Sequence, residues 1–224
     1  MFAMQSVVFA WDKNSRPLLN FDRFSIEKGE KVLVRGPSGS GKSTILNLVA
    51  GLLLPQNGTI KMLDTEITHL SASERDQFRS DHMGFIFQIF NLIPYLNVME
   101  NVLLPLNFSQ HKRSKISNPK QEAERLLKAL GLENYMHQKV HSLSVGQQQR
   151  VAVARALMGS PELVIADEPS SALDAETRSA FLELLFRECE RSKSSLLYVS
   201  HDPELESFFD RTLPIANFSV GGFS

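Results

Sequence analysis

Cysteine is nearly absent: Cys189 is the one example in 224 residues. That excludes an internal disulfide and points to a reducing compartment. Charge of one sign is missing too. The 24 Lys and Arg against 25 Asp and Glu leave a formal net charge of −1, which argues against a chain whose main business is gripping nucleic-acid backbone. Long apolar runs are also lacking. The two longest stretches free of Asp, Glu, Lys and Arg are Ser43 to Ile60 and His82 to Met99, each of 18 residues. The first is broken by Asn47, Gly51, Pro55, Gln56, Asn57 and Gly58, the second by Gly84, Gln88, Asn91, Pro94 and Asn97. Lipid would leave those groups unsatisfied. The opening Met1-Phe2-Ala3-Met4-Gln5 has no basic region of the kind that begins a signal peptide. What remains is an ordinary globular composition, 42% hydrophobic and 22% charged, in a chain able to bury roughly 70% of its unfolded surface.

Four short apolar runs each close on polar residues: Lys31 to Gly36, Gly84 to Gln88, Leu163 to Glu168, and Leu196 to His201. Continuous runs of this length, rich in Val, Ile and aromatics, predict strands buried on both faces. Helical periodicity lies between them. Ile45, Leu48, Val49 and Leu52 share one face; Ala123, Leu126, Leu127 and Leu130 share another, with Gly131 placed to end the helix. Phe181, Leu184, Leu185 and Cys189 form a third stripe, which makes the cysteine a core residue. Strands alternating with helices predict an α/β fold with a parallel sheet. Ligands of such sheets bind outside the carboxyl ends of the strands, so the glycine loop, Gln88, Asp167, Glu168 and His201 are expected on one rim.

Gly36-Pro37-Ser38-Gly39-Ser40-Gly41-Lys42-Ser43 matches the phosphate-loop pattern, directly after a predicted strand and before a predicted helix. Glycines let the backbone turn its N–H groups around phosphate oxygens, and the helix N-terminus adds partial positive charge. Lys42 can reach the β- and γ-phosphates, and the Ser43 hydroxyl can ligate Mg²⁺. Asp167, closing an apolar strand, suits Mg²⁺ directly or through water. Glu168 next to it is the candidate to orient or deprotonate an attacking water.

A further set of residues carries a family resemblance. Leu143-Ser144-Val145-Gly146-Gln147-Gln148-Gln149-Arg150 resembles the signature motif of ATP-binding-cassette ATPases, and Glu162 to Asp174 resembles that family's Walker B strand and D-loop. Gln88 matches the Q-loop glutamine, His201 the switch histidine, and Trp11 the aromatic that stacks on adenine. The resemblance covers essentially the whole chain. It implies a P-loop NTPase core of RecA type with a mostly parallel sheet, an N-terminal antiparallel β subdomain and an inserted α-helical subdomain. The expected division is 1–88 with 160–224 for the core and 89–159 for the helical signature subdomain. The implied ligands are ATP and Mg²⁺. Gly36, Pro37, Ser38, Gly39, Ser40, Gly41, Lys42, Ser43 and Thr44 would hold phosphates; Ser43, Gln88 and Asp167 the metal; Glu168 would be the base and His201 would contact the γ-phosphate. Ser144 and Gln147 also form a capping-box pattern that predicts a helix start. By the resemblance, that helix end, with Ser144, Gly146 and Gln147, faces the nucleotide of a second subunit in an ATP-dependent, head-to-tail homodimer, with Asp174 coupling the two sites.

Two positions depart from the family pattern. Val145 stands where the signature usually has glycine, and Ser170-Ser171-Ala172 replaces the residues usual in the favoured subgroup. Activity is expected to survive Val145, since this middle position is not the one whose N–H is needed. Gly84 to Gln88, Asn91 to Pro94 and Glu100 to Val102 look most like the lipoprotein-releasing and macrolide-efflux group, which includes a cell-division ATPase; the Ser-Ala-Leu-Asp ending looks like amino-acid importers. Ile89 to Leu96 is either core of the helical lobe or a groove for a helix of a membrane subunit. His111 to Lys115 is expected to be a solvated loop, with contact to anionic lipid as the alternative. Transmembrane permease subunits, no nucleic acid, and a place on the cytoplasmic face of the cell membrane follow from the resemblance. A non-transport mechanical ATPase and a small-molecule kinase are the competing classes; the kinase leaves the signature motif without an account.

Overall fold

The structure is a computed structural model and describes residues 1–12, 15–171 and 173–219. Among the described residues, nine strands and seven α-helices run in the order β1 (Phe2–Phe9), β2 (Leu19–Ile26), β3 (Lys31–Arg35), α1 (Lys42–Val49), β4 (Asn57–Met62), β5 (Thr65–Glu66), α2 (Ala72–His82) and β6 (Met83–Ile86). They continue with α3 (Val98–Leu103), α4 (Gln110–Ser114), α5 (Pro119–Ala129), α6 (Val145–Leu157), β7 (Leu163–Asp167), α7 (Ala175–Ser192), β8 (Ser195–Ser200) and β9 (Arg211–Pro214). The four apolar runs become β3, β6, β7 and β8. The chain divides into two compact units, one of Met1–Arg79 with the stretch from Ser195 onward, the other of Ser80–Ser194.

In the first unit β1 pairs antiparallel with β2 and β4, and β4 with β5. β1 buries Phe2 and Met4, then Val7 and Phe9. The inward parity changes because Ser6 has a φ of 50° and the register to β4 shifts there, a bulge that lets one strand keep its apolar side chains inside along its whole length. β3 pairs in parallel with β8 on one side and β9 on the other. Val32, Leu33 and Val34 are fully buried, as are Leu196 to Val199, the pattern of strands covered on both faces. α1 stops at Val49. The carbonyls just past its end have partners, since Arg75 Nε donates to Gly51 O at 3.0 Å and Arg79 Nη1 to Ala50 O at 3.3 Å. Leu52, expected on the helix face, lies beyond the helix end and is exposed.

In the second unit β6 and β7 pair in parallel from Met83↔Leu163 to Ile86↔Ala166. α6 packs on β6 with almost no space between backbones. A Cβ at Gly84 would lie 2.1 Å from the carbonyl oxygen of Ala156. Val151 to Ala154 are all buried, so α6 is apolar around its girth where it meets its neighbours. α5 is capped by Asn118, starts with Pro119 and buries Ala123, Leu126 and Leu127, with Gly131 at φ 68° after its end, as expected. α7 buries Phe181, Leu182, Leu185 and Cys189; the cysteine is core.

His111 to Lys115 is not a solvated loop. Most of it is α4, capped by Ser109, whose Oγ accepts from Lys112 N at 2.9 Å. Lys112 is only 3% exposed. Its stem covers Gly159 and its Nζ donates to Met83 O at 2.7 Å. Burial pushes this ammonium down to about 8, against the pull of Glu162. A basic run reads as solvated until one of its members finds a carbonyl to justify burial.

Replacing Gly84 with Ala should destabilise the protein by about 2–3 kcal/mol, because backbone stands where the methyl would go. Urea denaturation of wild type and Gly84→Ala checks this; equal midpoints would contradict it.

Candidate functional site

In the first unit the phosphate loop joins β3 to α1. Gly39 and Gly41 have φ of 77° and 96°, the left-handed region that other residues enter at a cost. Gly41 is the N-cap of α1 and offers no side chain to its first amides, so the helix end is left for an external acceptor. Ser40 Oγ donates to Pro37 O at 2.6 Å, and Lys42 Nζ donates to Gly36 O at 2.9 Å and Pro37 O at 2.8 Å. Lys42 is buried, with its ammonium held over the loop's own backbone. Pro37, Ser38, Gly39 and Ser43 are exposed along the rim, whereas Thr44 is buried.

The neighbouring strand carries His201. Gly36 N–H donates to Ser200 O at 3.2 Å, and the register Arg35↔Ser200 sets exposed His201 just beyond the start of the loop. Asp202 follows and caps the next turn, accepting from Glu204 N at 2.9 Å. Trp11, at the end of β1, is 63% exposed and meets Phe9 edge-on at 5.3 Å. It is not a core tryptophan; its open face is available to a planar ligand.

In the second unit the parallel register does the corresponding work. Ile86 pairs with Ala166, so Gln88 and Glu168, each two residues further on, leave the same ends of adjacent strands. Asp167 is the last residue of β7 and half-buried. Glu168 has a φ of 44°, an uncommon conformation for a residue with a long side chain and one concentrated at functional positions. The turn it opens is closed by Ser171 N–H to Glu168 O at 3.2 Å and Leu173 N–H to Ser170 O at 3.1 Å. Ala172 of the D-loop lies outside the described residues.

Ser144 is the N-cap of α6. Its Oγ accepts from Gln147 N at 3.3 Å, and its N–H donates to Gln147 Oε1 at 2.9 Å, the complete capping box. The Gln147 side chain is thereby used to shape the helix end. A Cβ at Gly146 would meet nothing within 4 Å, so open space adjoins the helix at this residue. Val145 is the first helical residue, exposed and without positive φ; the backbone here does not need the glycine it replaces. Asp174 caps α7, accepting from Thr177 N at 2.9 Å and Thr177 Oγ1 at 2.8 Å. Those hydrogen bonds hold its carboxyl below the usual aspartate range.

Gln149 escaped the sequence reading. It is buried, and its Nε2 donates to Pro169 O at 2.6 Å, tying the signature helix to the turn after Glu168. The signal was present only as a glutamine one helical turn into an apolar helix.

Known proteins share this arrangement of motifs. The family described as "ABC transporter" matches residues 19–171. The ABC transporter ATP-binding protein YtrE of Bacillus subtilis is 43% identical over 87% of this chain and 83% of its own length. The lipoprotein-releasing system ATP-binding protein LolD of Hydrogenovibrio crunogenus is 38% identical over 89% of this chain and 85% of its own. Among solved structures, the dimeric post-hydrolysis state of the ATP-binding cassette MJ0796 bound to ADP and Pi superimposes with a TM-score of 0.82 at 36% identity, covering 96% of this chain and 94% of that one. The protein of that designation is from Methanocaldococcus jannaschii.

Lys42→Ala should weaken ATP binding at least tenfold, since it deletes the ammonium held over the loop. Fluorescent-nucleotide titration reads the affinity, and an unchanged value would remove Lys42 from the phosphate site.

Proposed function

This chain belongs to the ABC transporter ATP-binding family and is an ATPase of that kind; from that premise we propose that it powers an export or lipoprotein-release machine through separate membrane subunits. The observation that carries the reading is the capped start of α6, where Ser144 and Gln147 close the box and open space adjoins Gly146. A phosphate loop alone would suit a kinase. A polar, solvent-facing helix N-terminus suits an anion supplied from outside its own chain.

In the proposed reaction the loop amides, Lys42 and Ser43 hold the triphosphate, and Lys42 offsets charge as the β–γ bond breaks. Glu168 orients the attacking water and accepts its proton; His201 contacts the γ-phosphate. Ser144 and Gly146 of a second copy complete the site, head to tail, as supported by the dimeric state named for the MJ0796 structure. Asp174, at the start of α7, would couple the two sites across that pairing. The oxygen donors Ser43, Gln88 and Asp167 have the hard chemistry that Mg²⁺ prefers; when bound, the ion would neutralise phosphate charge. Trp11 receives the adenine.

The transport role rests on a second feature. No helix among the described residues is long and apolar enough to cross a membrane. After Gln88 the chain holds its backbone with buried polar groups. Arg155 donates to Phe90 O at 2.7 Å and Asn91 O at 2.6 Å, while fully buried Asn101 accepts from Ile93 N at 2.8 Å and donates to Ile93 O and Asn97 O. Leu92, Ile93 and Leu96 are half-buried, but Ile89 is 81% and Tyr95 74% exposed. Apolar side chains held outward on a fixed backbone suit a partner helix. The expected location is the cytoplasmic face of the cell membrane, through that partner. LolD's name supports the release-type subgroup.

Glu168→Gln should lower ATP turnover at least a hundredfold while preserving ATP binding and giving an ATP-dependent dimer by light scattering; hydrolysis at the wild-type rate would show that Glu168 is not the base. Affinity purification of the tagged chain from detergent-solubilised membranes should recover a polytopic membrane protein in stable ratio. Reproducible recovery of the cassette without one would count against the transport role.

A further inference from the structure

At the other ends of β6 and β7, away from Gln88 and Glu168, a second cluster of chemistry-bearing side chains has no part in ATP hydrolysis. We infer that His82, His111 and Glu162 form a binding site for a divalent transition-metal ion of the zinc class. The register Met83↔Leu163 sets His82 and Glu162, the residues just before each strand, side by side. His82 Nδ1 stands 3.0 Å from Glu162 Oε2. α4 brings the third member: the His111 ring lies 4.9 Å from that of His82, and its Nε2 is 3.9 Å from Glu162 Oε1. One donor atom from each of the three lies within 4.8 Å of the other two.

The chemistry selects the ion. Two imidazoles and one carboxylate suit Zn²⁺, Co²⁺, Ni²⁺ or Cu²⁺ and are poor ligands for Mg²⁺ or Ca²⁺. Bonds of about 2.0–2.1 Å in tetrahedral geometry space ligand atoms roughly 3.3–3.4 Å apart, inside the range these donors already span. Three protein ligands on three elements leave a fourth position, and His111, the most exposed member, places it toward solvent. Burial alone would raise the Glu162 carboxyl, but hydrogen bonds from His82 and Lys115 hold it at about 2; the ligand is a carboxylate.

Two cations oppose the ion. Lys115 Nζ sits 2.8 Å from Glu162 Oε1, and buried Lys112 lies close enough to feel the same carboxylate. A metal must displace Lys115, whose Nζ also reaches Ser160 O at 3.4 Å. Lys115 is therefore a competitor, and removing it should strengthen metal binding. An ion here would cross-link α4 to the amino ends of both strands and raise the stability of the second unit without entering the nucleotide chemistry.

The test is titration of the metal-stripped, nucleotide-free full chain with Zn²⁺ against a chromophoric chelator, with thermal melting and Co²⁺ visible absorption as further readouts. Expected are one saturable equivalent, a higher Tm with Zn²⁺, and tetrahedral Co²⁺ bands. His111→Ala and His82→Ala should each weaken binding at least tenfold and abolish the bands. Lys115→Met keeps all three ligands and should tighten binding several-fold, so the proposal stays testable even if His82→Ala folds poorly. Zn²⁺ affinity unchanged in His111→Ala and Lys115→Met would place the ion on other histidines and overturn the proposal. So would the absence of saturable binding to the wild type.

Discussion

Parallel pairing is the constraint on which both units depend. Two parallel strands run in one direction, so whatever follows each strand emerges at the same end as whatever follows its neighbour. In the first unit this puts His201 beside the start of the phosphate loop, with Gly36 N–H on Ser200 O as the last bond of the ladder. In the second it sets Gln88 level with Glu168. A one-residue slip in either ladder would turn every strand side chain to the opposite face and also separate the pair at the strand ends. Core packing and the placement of these candidate residues are therefore specified by the same register.

Helix ends supply the second layer of positioning, and they are built differently according to use. Ser144 and Asp174 use their own side chains to satisfy first-turn amides. Gly41 at the start of α1 has no side chain to do so. The contrast follows from chemistry: a helix that must accept phosphate oxygens cannot also fill its N-terminus with a hydroxyl or carboxylate of its own. The capping box of α6 is intermediate, with Ser144 and Gln147 occupied by each other and Gly146 left open.

Much of this was legible in the sequence because the informative signals are local. An apolar run closing on a polar residue marks a buried strand and its exit. Ser144 with Gln147 marks a helix start, and Gly131 a helix stop. What was hidden depends on partners distant in the chain. Lys112 is indistinguishable from a solvated lysine until α4 lays it against Gly159 and the carbonyl of Met83. Leu52 continues the α1 periodicity in sequence, but the helix has already ended, and the carbonyls just past its end are taken by Arg75 and Arg79. His82, His111 and Glu162 show no metal-ligand spacing, and strand register brings together the two of them that lie furthest apart in sequence. Trp11 is identified only through the resemblance, and local pattern leaves Ile89 to Leu96 open between lobe core and groove; in the structure Trp11, Ile89 and Tyr95 are exposed.

That outward-facing segment shows how cost is placed next to function. Holding Ile89 and Tyr95 in solvent forgoes the stabilisation their burial would supply, about 1.5–3 kcal/mol for a large aliphatic side chain. Arg155 and Asn101 offset this by satisfying loop carbonyls from within, where charge-assisted and buried hydrogen bonds are strongest. Asn101 has its acceptor and its donor group both engaged, so the loop is specified by polar contacts rather than by its own apolar side chains. The same division recurs at Glu168. Its left-handed backbone is unfavourable in isolation, and the turn that follows is braced by Gln149 on Pro169 O. In both places the backbone is held by side chains from outside the segment itself, Arg155 and Asn101 in one and Gln149 in the other.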